Sequence, residues 1–549
     1  MVIAAFLKRR GRTGDPANGW SIATFAMAIF LIGPFVSLFH TATGDSGGLW
    51  SHLMATVFPH YVANTLILML GVGALSLLFG VITAWIVTRR RFPGVRALEW
   101  ASLLPATVPA YIIAYTYTDL LEYAGPVQGF LRHLFGWQTA RDYWFPEIRS
   151  MGGAILVMAS VLYPYIHLLA RTAFRLTPAS YYEVARLHHR SFSLAVDLPL
   201  ARPAIVAGLA LVLMEVVSDF GTVEYFAVQT ITLGIFNVWL GMNSLTAAAQ
   251  IAAFAFVFIL ALLVLERTAR SRQRFSDTTR RGMELAPLSV RGWRAAGCFA
   301  ACFTPIVLGF VIPVAVLLDF VLRGHSVADF AMLFRCTVNT LAIALVAAVA
   351  VMLVAAVMVL TTSFRRHPVL RGLTAVSAMG YAFPGAVLAI GVVSFAGVID
   401  ATAQQVVQGL IGIPFDGFLI GGAALLIVAY VVRFHAIGYG AMVAGVNRLS
   451  PNIMSASFVL GRGFSHSMVT LAPPLLRKSL LAGGILVFVD VMKELPMTLL
   501  LRPFNFETLA TYVYQFAKDE LLEQSALAAL TIVIAGLCPV ILMNASQRK

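Results

Sequence analysis

The stretch NTLILMLGVGALSLLFGVITAWIV, residues 64–87, contains no charged residue and is followed, after Thr88, by Arg89, Arg90 and Arg91. About 20 consecutive apolar residues are enough for a helix to cross the hydrocarbon core of a bilayer. Similar runs recur along the chain, in which 59% of the 549 residues are hydrophobic and only 12% are charged. Soluble domains carry roughly 25% charged residues, so this composition excludes a water-soluble protein.

The apolar runs predict an all-α integral membrane protein with about 12 transmembrane helices. The predicted spans lie near residues 20–42, 63–88, 97–121, 152–170, 203–222, 246–265, 295–321, 338–362, 372–398, 418–442, 479–500 and 522–545. The first run is interpreted as a retained helix and not as a secretory signal, because no clear small-residue cleavage site follows it.

Lysine and arginine residues are concentrated in alternate connections between the predicted spans. The N-terminus, the loop after the second span, the loop between the fourth and fifth spans and the central connection are rich in them. By contrast, 43–62, 223–245 and 399–417 contain none. Positive charge on the cytoplasmic loops is typical of membrane proteins. The pattern therefore predicts that both termini are cytoplasmic, and it accounts for the net charge of +14 without a nucleic-acid partner.

Short motifs recur 275 positions apart, which indicates an internal duplication. Asn64-Thr65-Leu66 recurs as Asn339-Thr340-Leu341, and Ala207-Gly208 recurs as Ala482-Gly483. The same spacing relates Pro93 to Pro368, Pro109 to Pro384, Pro199 to Pro474 and Arg202 to Arg477. Each repeat holds six predicted spans, so both have the same orientation. A parallel repeat of this kind favours a pathway at the interface between the halves, although channels and membrane enzymes can also be duplicated.

The connection between the fourth and fifth spans of each half is long for a cytoplasmic loop. In the first half it runs from LTPASYYEVAR (176–186) to DLPLARP (197–203), and in the second from LSPNIMSASFVLG (449–461) to PPLLRK (473–478). A proline near a helix start, a short helical run, a glycine break and a second helix closed by proline before the membrane predict a helix lying across the cytoplasmic face. Such a helix suits docking, and an ordinary amphipathic loop is the alternative.

This segment resembles the EAA loop of type I ABC importer permeases, which forms a coupling helix in a cleft of the ATP-binding subunit. The matching residues of the first half are Glu183, Val184, Ala185 and Arg186, followed by Leu198 and Pro199. The corresponding residues of the second half are Ser455, Ala456, Gly461 and Pro474. Both copies depart from the family pattern, since His188-His189 stands where glycine is expected and Ser455-Ala456-Ser457 replaces Glu-Ala-Ala. The resemblance implies two ATP-binding cassette subunits as partners.

The resemblance extends from about residue 60 to 540 and is more specific in three segments. EVVSDFGTVEYF (215–226), DVMKELPMT (490–498) and LLRPFNFETL (500–509) are similar to permeases for ferric iron in which two permease halves are fused. This resemblance implies an extracytoplasmic ferric-iron-binding protein as a further partner and the inner membrane of a bacterium as the location. Permeases for thiamine or another small substrate share the architecture, and a proton-coupled secondary transporter is the rival from another class.

The resemblance divides the chain into four parts. These are 1–59 with the first helix, 60–266 as the first ABC type-1 permease domain, 267–334 as a basic cytoplasmic linker with the seventh helix, and 335–542 as the second permease domain.

Five ionisable residues are predicted to lie inside the membrane and are the candidates for a translocation pathway. They are Glu215, Asp219, Asp490, Lys493 and Glu494. A charge at the bilayer centre costs roughly 2.5–3.5 kcal/mol on insertion scales, so such residues tend to face a cavity, a partner or water. Carboxylates would suit a hard cation. The alternative is that Lys493 neutralises one acid and the others are helix-end residues near water.

Two prolines, Pro109 and Pro384, occupy equivalent positions in the third span of each half and are predicted to kink it. The four cysteines are too few for a disulfide framework, and Cys298 and Cys302, one helical turn apart, are interpreted as packing residues in preference to metal ligands. No metal site is established from the sequence.

The chain lacks the sequence features of an energy-converting enzyme. The phosphate-binding motif Gly-x-x-x-x-Gly-Lys-Ser/Thr is absent, and no Gly-Lys dipeptide occurs. We find no catalytic grouping of Ser, His and Asp. The sequence therefore predicts a permease that is not an enzyme, binds no cofactor of its own and uses ATP through a partner subunit.

Overall fold

The computed structural model describes residues 16–188, 193–271, 287–324, 330–364, 367–412 and 417–547. The helices before the central connection are α1 (Pro16–Ala42), α2 (Leu49–Ala55), α3 (Phe58–Arg89), α4 (Val95–Ala101), α5 (Ala110–Leu121), α6 (Pro126–Phe135), α7 (Met151–Arg175), α8 (Ala179–Leu187), α9 (Leu198–Ser218), α10 (Gly221–Tyr225), α11 (Ile231–Phe236) and α12 (Leu245–Ser271).

The helices after the central connection complete the described structure. They are α13 (Trp293–Ile306), α14 (Ile312–Leu322), α15 (Phe330–Phe364), α16 (Pro368–Ser377), α17 (Gly385–Ile411), α18 (Ala423–Val446), α19 (Pro451–Val459), α20 (Phe464–His466), α21 (Ala472–Lys493), α22 (Pro496–Leu501), α23 (Leu509–Lys518) and α24 (Leu522–Gln547). Two short strands, β1 (Arg90–Arg91) and β2 (Leu288–Ser289), pair in parallel. Short 3-10 or π segments are Leu104–Thr107, Ser193–Asp197, Asn237–Gly241, Val307–Val311, Gly380–Ala382 and Ser467–Leu471.

The helices confirm the predicted all-α membrane class. Within the described residues, 10 helical stretches are long and apolar enough to cross a membrane, and a bent pair can be counted as an eleventh. One of these stretches, Trp293–Leu322, runs through α13 and α14. A backbone that crosses a bilayer must satisfy its own N–H and C=O groups, and helices do so without a partner.

Two of the twelve predicted spans are not among these 10 single stretches. The third is the bent pair, in which Val95–Thr107 and Ala110–Phe135 meet at 92°. The eleventh corresponds to α21, which has 22 residues but carries both Arg477 and Lys478 near its start and Asp490 and Lys493 near its end. It is therefore long enough to cross, but it lacks the uncharged core of the others.

The chain folds as two compact units. The described residues of 1–38, 341–381 and 391–491 form one unit, and those of 39–340, 382–390 and 492–547 form the other. In the first unit, buried side chains of α15, α18 and α21 form an apolar cluster around Met352 and Met442, against which Trp20 packs. In the second unit, α3 packs along α7 and α9. The predicted division into permease domains stays a prediction.

In each half, the repeated Ala-Gly pair allows two helices of that half to approach each other closely, and the two helix pairs are equivalent. A Cβ at Gly208 of α9 would lie 2.9 Å from the Cα of Ile166 in α7. At the equivalent place, a Cβ at Gly483 of α21 would lie 2.7 Å from the Cβ of Ala441 in α18. Small residues permit this approach, which increases the packing contacts that hold membrane helices together. The duplication seen in the sequence is therefore also a duplication of helix contacts.

The repeated Asn-Thr pairs also make equivalent hydrogen bonds. The Asn64 side chain donates to the Gln229 carbonyl at 3.0 Å, and the Thr65 hydroxyl accepts from the Ile231 backbone at 3.0 Å. In the second half, Asn339 donates to the Glu507 carbonyl at 3.0 Å, and Thr340 accepts from the Leu509 backbone at 2.8 Å. Each pair thus fixes the loop that leads into α11 or α23 and satisfies a backbone donor at the start of that helix.

Candidate functional sites

The short helix α8 carries the first predicted coupling segment. Its Tyr182 and Ala185 are buried against Val196, while Glu183, Val184 and Arg186 are exposed. Leu198 and Pro199 open α9, where proline is tolerated because the first backbone N–H groups have no acceptor within the helix. His188 is exposed at the end of α8, and His189 lies outside the described residues. The arrangement leaves one face of α8 attached to the protein and the other accessible.

Four buried or half-buried side chains that are joined by hydrogen bonds and an ion pair hold α8 in place. This set, here named the anchor cluster, consists of Trp85, Arg89, Tyr182 and Asp197. Arg89 forms an ion pair with Asp197 at 2.7 Å, and the Tyr182 hydroxyl donates to the same carboxylate at 2.5 Å. The Trp85 indole donates to the second carboxylate oxygen at 3.0 Å. Burial and the neighbouring Asp197 carboxylate raise the pKa of Tyr182, so the phenol stays protonated and remains a donor. The cluster ties the end of α3 to α8 and to the start of α9.

The second predicted coupling segment forms α19. Ser450 precedes it and accepts a hydrogen bond from the Asn452 backbone. Ala456 is exposed, and the side chain of Ser455 lies outside the described residues. Gly461 ends the segment with φ +78, a left-handed conformation that glycine adopts without strain. Pro474 is exposed in the first turn of α21.

Three of the four positions of the anchor cluster have apolar counterparts in the second half. At 275 positions after Trp85, Arg89 and Asp197 stand Leu360, Phe364 and Ala472. These three residues belong to or pack against the apolar cluster around Met352. Beside this apolar packing, Ser457 of α19 forms a hydrogen bond of 2.8 Å with Ser467. A buried ion pair in the first half is thus replaced by apolar contacts in the second.

Two of the five pathway candidates cap short helices. The Asp219 carboxylate accepts from the backbone N–H of Thr222 at 3.0 Å and of Val223 at 3.2 Å, at the start of α10. Glu494, at the equivalent position of the second half, accepts from the Met497 backbone at 2.9 Å at the start of α22. Both acids therefore supply the acceptors that the first turn of a helix lacks.

The other three pathway candidates lie within or at the end of helices. Glu215 and Asp490 are half-buried in the last turns of α9 and α21. Lys493, the last residue of α21, donates to the Ala106 carbonyl at 3.4 Å. Among the described residues, no group of three or more His, Cys, Asp or Glu side chains is placed to hold a metal ion.

Pro109 and Pro384 each stand immediately before a helix. Pro109 is the N-cap of α5, next to the 92° bend, and its carbonyl accepts from the Ile113 backbone at 3.3 Å. Pro384 precedes α17, and its carbonyl accepts from Leu388 at 3.0 Å. Both prolines thus begin a new helix after a 3-10 turn, whereas the sequence interpretation placed them inside a continuous one.

The sequence interpretation missed a set of ion pairs, here named the outer network, two of which join the first half of the sequence to the second. Arg149 pairs with Glu122 at 2.5 Å and with Glu520 at 3.1 Å. Lys518 lies 3.7 Å from Glu224. All of these residues lie in connections that the charge pattern predicts to be extracytoplasmic. The sequence signal for these ion pairs was Arg149. It stands directly before the fourth predicted span, on the side of the membrane that is predicted to be poor in cations.

Comparison with known proteins gives relatives that are named as transport permeases. No family model matches the chain. The chain is 25% identical over 496 residues, covering 88% of its length and 89% of the relative, to the Fe(3+)-transport system permease protein FbpB 2 of Haemophilus influenzae. It is 28% identical over 222 residues to the putative 2-aminoethylphosphonate transport system permease protein PhnU of Salmonella typhimurium, covering 39% of this chain and 76% of that protein. It is 27% identical over 240 residues, 40% of this chain and 77% of the relative, to the probable sulfate transport system permease protein cysT of Chlorokybus atmophyticus.

Proposed function

We propose a substrate, partners and an energy source for this chain, which is a membrane permease subunit of the type I ABC importer family. The substrate is ferric iron, which the permease moves into the cytoplasm. The observation that carries this proposal is the similarity to an Fe(3+)-transport permease over 88% of the chain. The similarities to the 2-aminoethylphosphonate and sulfate permeases span only 39% and 40% of it.

The energy source is ATP hydrolysed by two separate ATP-binding subunits, one docked on α8 and one on α19. Each helix offers exposed apolar side chains on the proposed cytoplasmic face. These are Val184 and Leu187 of α8, and Phe458, Val459 and Leu460 at the end of α19. Apolar side chains that remain outside the bilayer and unburied are typical of a docking surface. The permease itself binds no cofactor and carries out no chemical reaction.

Movement at the docked subunits reaches the membrane helices through the anchor cluster. Arg89 is the last residue of α3, and Asp197 directly precedes α9. Because both side chains also contact Tyr182 of α8, a displacement of α8 acts on both helices at once. Closure of the ATP-binding subunits would then open the path outward, and hydrolysis would return it inward, as in alternating access between repeated halves.

An extracytoplasmic binding protein delivers ferric iron, and both termini of the permease lie in the cytoplasm of a bacterium, with the chain in the inner membrane. Glu215, Asp219, Asp490, Lys493 and Glu494 are the candidate residues of the proposed path. Asp219 and Glu494 also cap the short helix that follows each predicted span.

The test is reconstitution of the permease with its ATP-binding subunits in proteoliposomes. Ferric-loaded binding protein is expected to stimulate ATP hydrolysis and uptake of radiolabelled iron, and iron-free binding protein is the matched control. Sulfate, 2-aminoethylphosphonate and thiamine, offered with their own binding proteins, are expected to give no uptake. Uptake driven by a proton gradient without nucleotide would contradict the proposed mechanism.

A further inference from the structure

A cavity of about 370 Å³ opens at the end of α3, on the proposed cytoplasmic side. It is lined by the last turn of α3, by β1 and α4, by Arg175 of α7 and by Pro287 next to β2. Its charged lining consists of Arg89, Arg90, Arg91, Arg96, Arg175 and Glu99. Five arginine residues and one glutamate therefore line a single concave space.

The single carboxylate of the cavity is already neutralised. Glu99 accepts hydrogen bonds from both Arg171 and Arg175. Arg89 is paired with Asp197 in the anchor cluster. Among the ion pairs of the described residues, none involves Arg90, Arg91 or Arg96. The cavity consequently has an excess of positive charge, and guanidinium groups bind phosphate oxygens with two parallel hydrogen bonds.

The backbone of the cavity is fixed by the fold. The β1–β2 pairing joins Arg90 to Leu288 and Arg91 to Ser289, and the Val290 backbone donates to the Arg91 carbonyl at 2.8 Å. The Arg90 guanidinium lies 5.0 Å from the centre of the Trp85 ring, which restricts its position. A buried Phe92 separates the strand from α4. The backbone that carries Arg90 and Arg91 is thus held in place by the pairing of β1 with β2.

We propose that this cavity binds the phosphate of an anionic phospholipid headgroup. The cavity lies at the end of a membrane-spanning helix, and Leu78 and Ile82 are exposed on that same helix toward the bilayer centre. A lipid bound with its phosphate among the arginines would place its acyl chains along these side chains. Basic pockets between membrane helices on the cytoplasmic side bind anionic headgroups.

The second half provides a matched control, because it repeats three arginines of the cavity but not the rest of the charged lining. At 275 positions after Arg90, Arg91 and Arg96 stand Arg365, Arg366 and Arg371, whereas Arg89, Glu99 and Arg175 have the counterparts Phe364, Thr374 and Ser450. Arg371 is exposed, as Arg96 is. If lipid binding came only from general attraction between basic loops and an anionic membrane, Arg96 and Arg371 would contribute equally to it. If the cavity is a specific site, lipid binding depends on Arg96 and not on Arg371.

The experiment measures phospholipid binding to the purified full-length permease by native mass spectrometry. Wild type, Arg91→Gln/Arg96→Gln and the matched control Arg366→Gln/Arg371→Gln are each titrated with phosphatidylglycerol and with phosphatidylcholine. We expect one phosphatidylglycerol to bind preferentially to wild type and to the control variant. We expect binding roughly 30-fold weaker in Arg91→Gln/Arg96→Gln, from about 1 kcal/mol for each basic residue near the headgroup. Arg96→Gln and Arg371→Gln replace the two double variants if these do not purify.

A second arm tests the source of the phosphate group. Inorganic phosphate at millimolar concentration is added to the lipid titration, and we expect it to leave phosphatidylglycerol bound. Displacement of the lipid by inorganic phosphate would overturn the lipid assignment in favour of a soluble anion. Equal losses in Arg91→Gln/Arg96→Gln and in Arg366→Gln/Arg371→Gln would overturn the site altogether, because only general surface charge would then be at work.

Discussion

At the scale of single residues, the intramembrane acids show why an ionisable side chain in a span is an ambiguous signal. Asp219 and Glu494 were predicted as pathway residues from their chemistry, and the structure places both at helix starts. Unsatisfied backbone N–H groups are costly in a membrane, so a carboxylate that accepts from them is stabilising without binding any substrate. The sequence shows that an acid is present in the span. Whether that acid caps a helix depends on where the preceding helix ends, which the sequence does not show.

A substitution at Asp219 separates capping from a direct role in cation passage. Asparagine caps a helix about as well as aspartate, whereas alanine costs about 1 kcal/mol. We therefore expect Asp219→Asn to retain thermal stability and most iron uptake, and Asp219→Ala to lose stability. The measurements are the melting temperature in detergent and uptake in proteoliposomes. If Asp219→Asn melts like wild type but transports no iron, the negative charge itself is required.

The two halves differ in the residues at the positions of the anchor cluster: the first half has a buried ion pair, and the second half has apolar side chains. Taking two charges out of water is costly, and replacing a buried pair with apolar residues is often neutral or stabilising. Removing one partner, however, leaves an uncompensated buried charge. The apolar residues Phe364 and Ala472 of the second half indicate that this position can be held without an ion pair.

We accordingly expect Asp197→Ala to destabilise the permease by about 3–5 kcal/mol, because Arg89 would remain buried without its partner. The double variant Arg89→Phe/Asp197→Ala copies the residues of the second half and is expected to recover most of that loss. Thermal unfolding of each purified variant measures both effects. A double variant that is no more stable than Asp197→Ala would show that the Tyr182 and Trp85 hydrogen bonds need the carboxylate.

At the scale of helices, apolar runs predicted most spans and misplaced several of their ends. The predicted fifth span, 203–222, begins at Leu198 in α9, because Pro199 is accommodated in the first turn, and it ends at Ser218. The predicted ninth span starts at 372, whereas α17 starts at Gly385 after a separate helix and a 3-10 turn. Hydropathy carries no information about such a break, since both sides of it are apolar.

The docking role of α8 can be tested on its exposed face. Val184 is 56% exposed, whereas its neighbour Ala185 is buried. We expect Val184→Asp to keep the free energy of unfolding within about 0.5 kcal/mol of the wild-type value and to reduce co-purification of the ATP-binding subunits. The matched variant Val459→Asp, at an 86% exposed position of α19, tests the other helix. Full co-purification and transport in both variants would contradict docking at these helices.

At the scale of the whole chain, recurring residues predicted the duplication, and the structure explains why they recur. Gly208 and Gly483 permit equivalent helix approaches, and Thr65 and Thr340 accept equivalent backbone hydrogen bonds. Contacts between the halves were not predictable in the same way. Arg149 and Glu520 are separated by 371 positions, and no periodicity in either segment relates them.

The outer network is expected to hold the outer ends of the two halves together, and a charge exchange tests this. Lys518→Glu places two carboxylates opposite each other at the position of the 3.7 Å pair with Glu224. Because partly exposed pairs contribute about 0.2–1 kcal/mol, we expect basal ATP hydrolysis without binding protein to rise by a few fold at low salt. Adding Glu224→Lys restores the opposite charges and should return hydrolysis toward the wild-type rate, and about 1 M salt should shrink the difference by screening. A rise that persists in the exchanged double variant, or that is insensitive to salt, would show that side-chain packing and not charge joins the halves at this point.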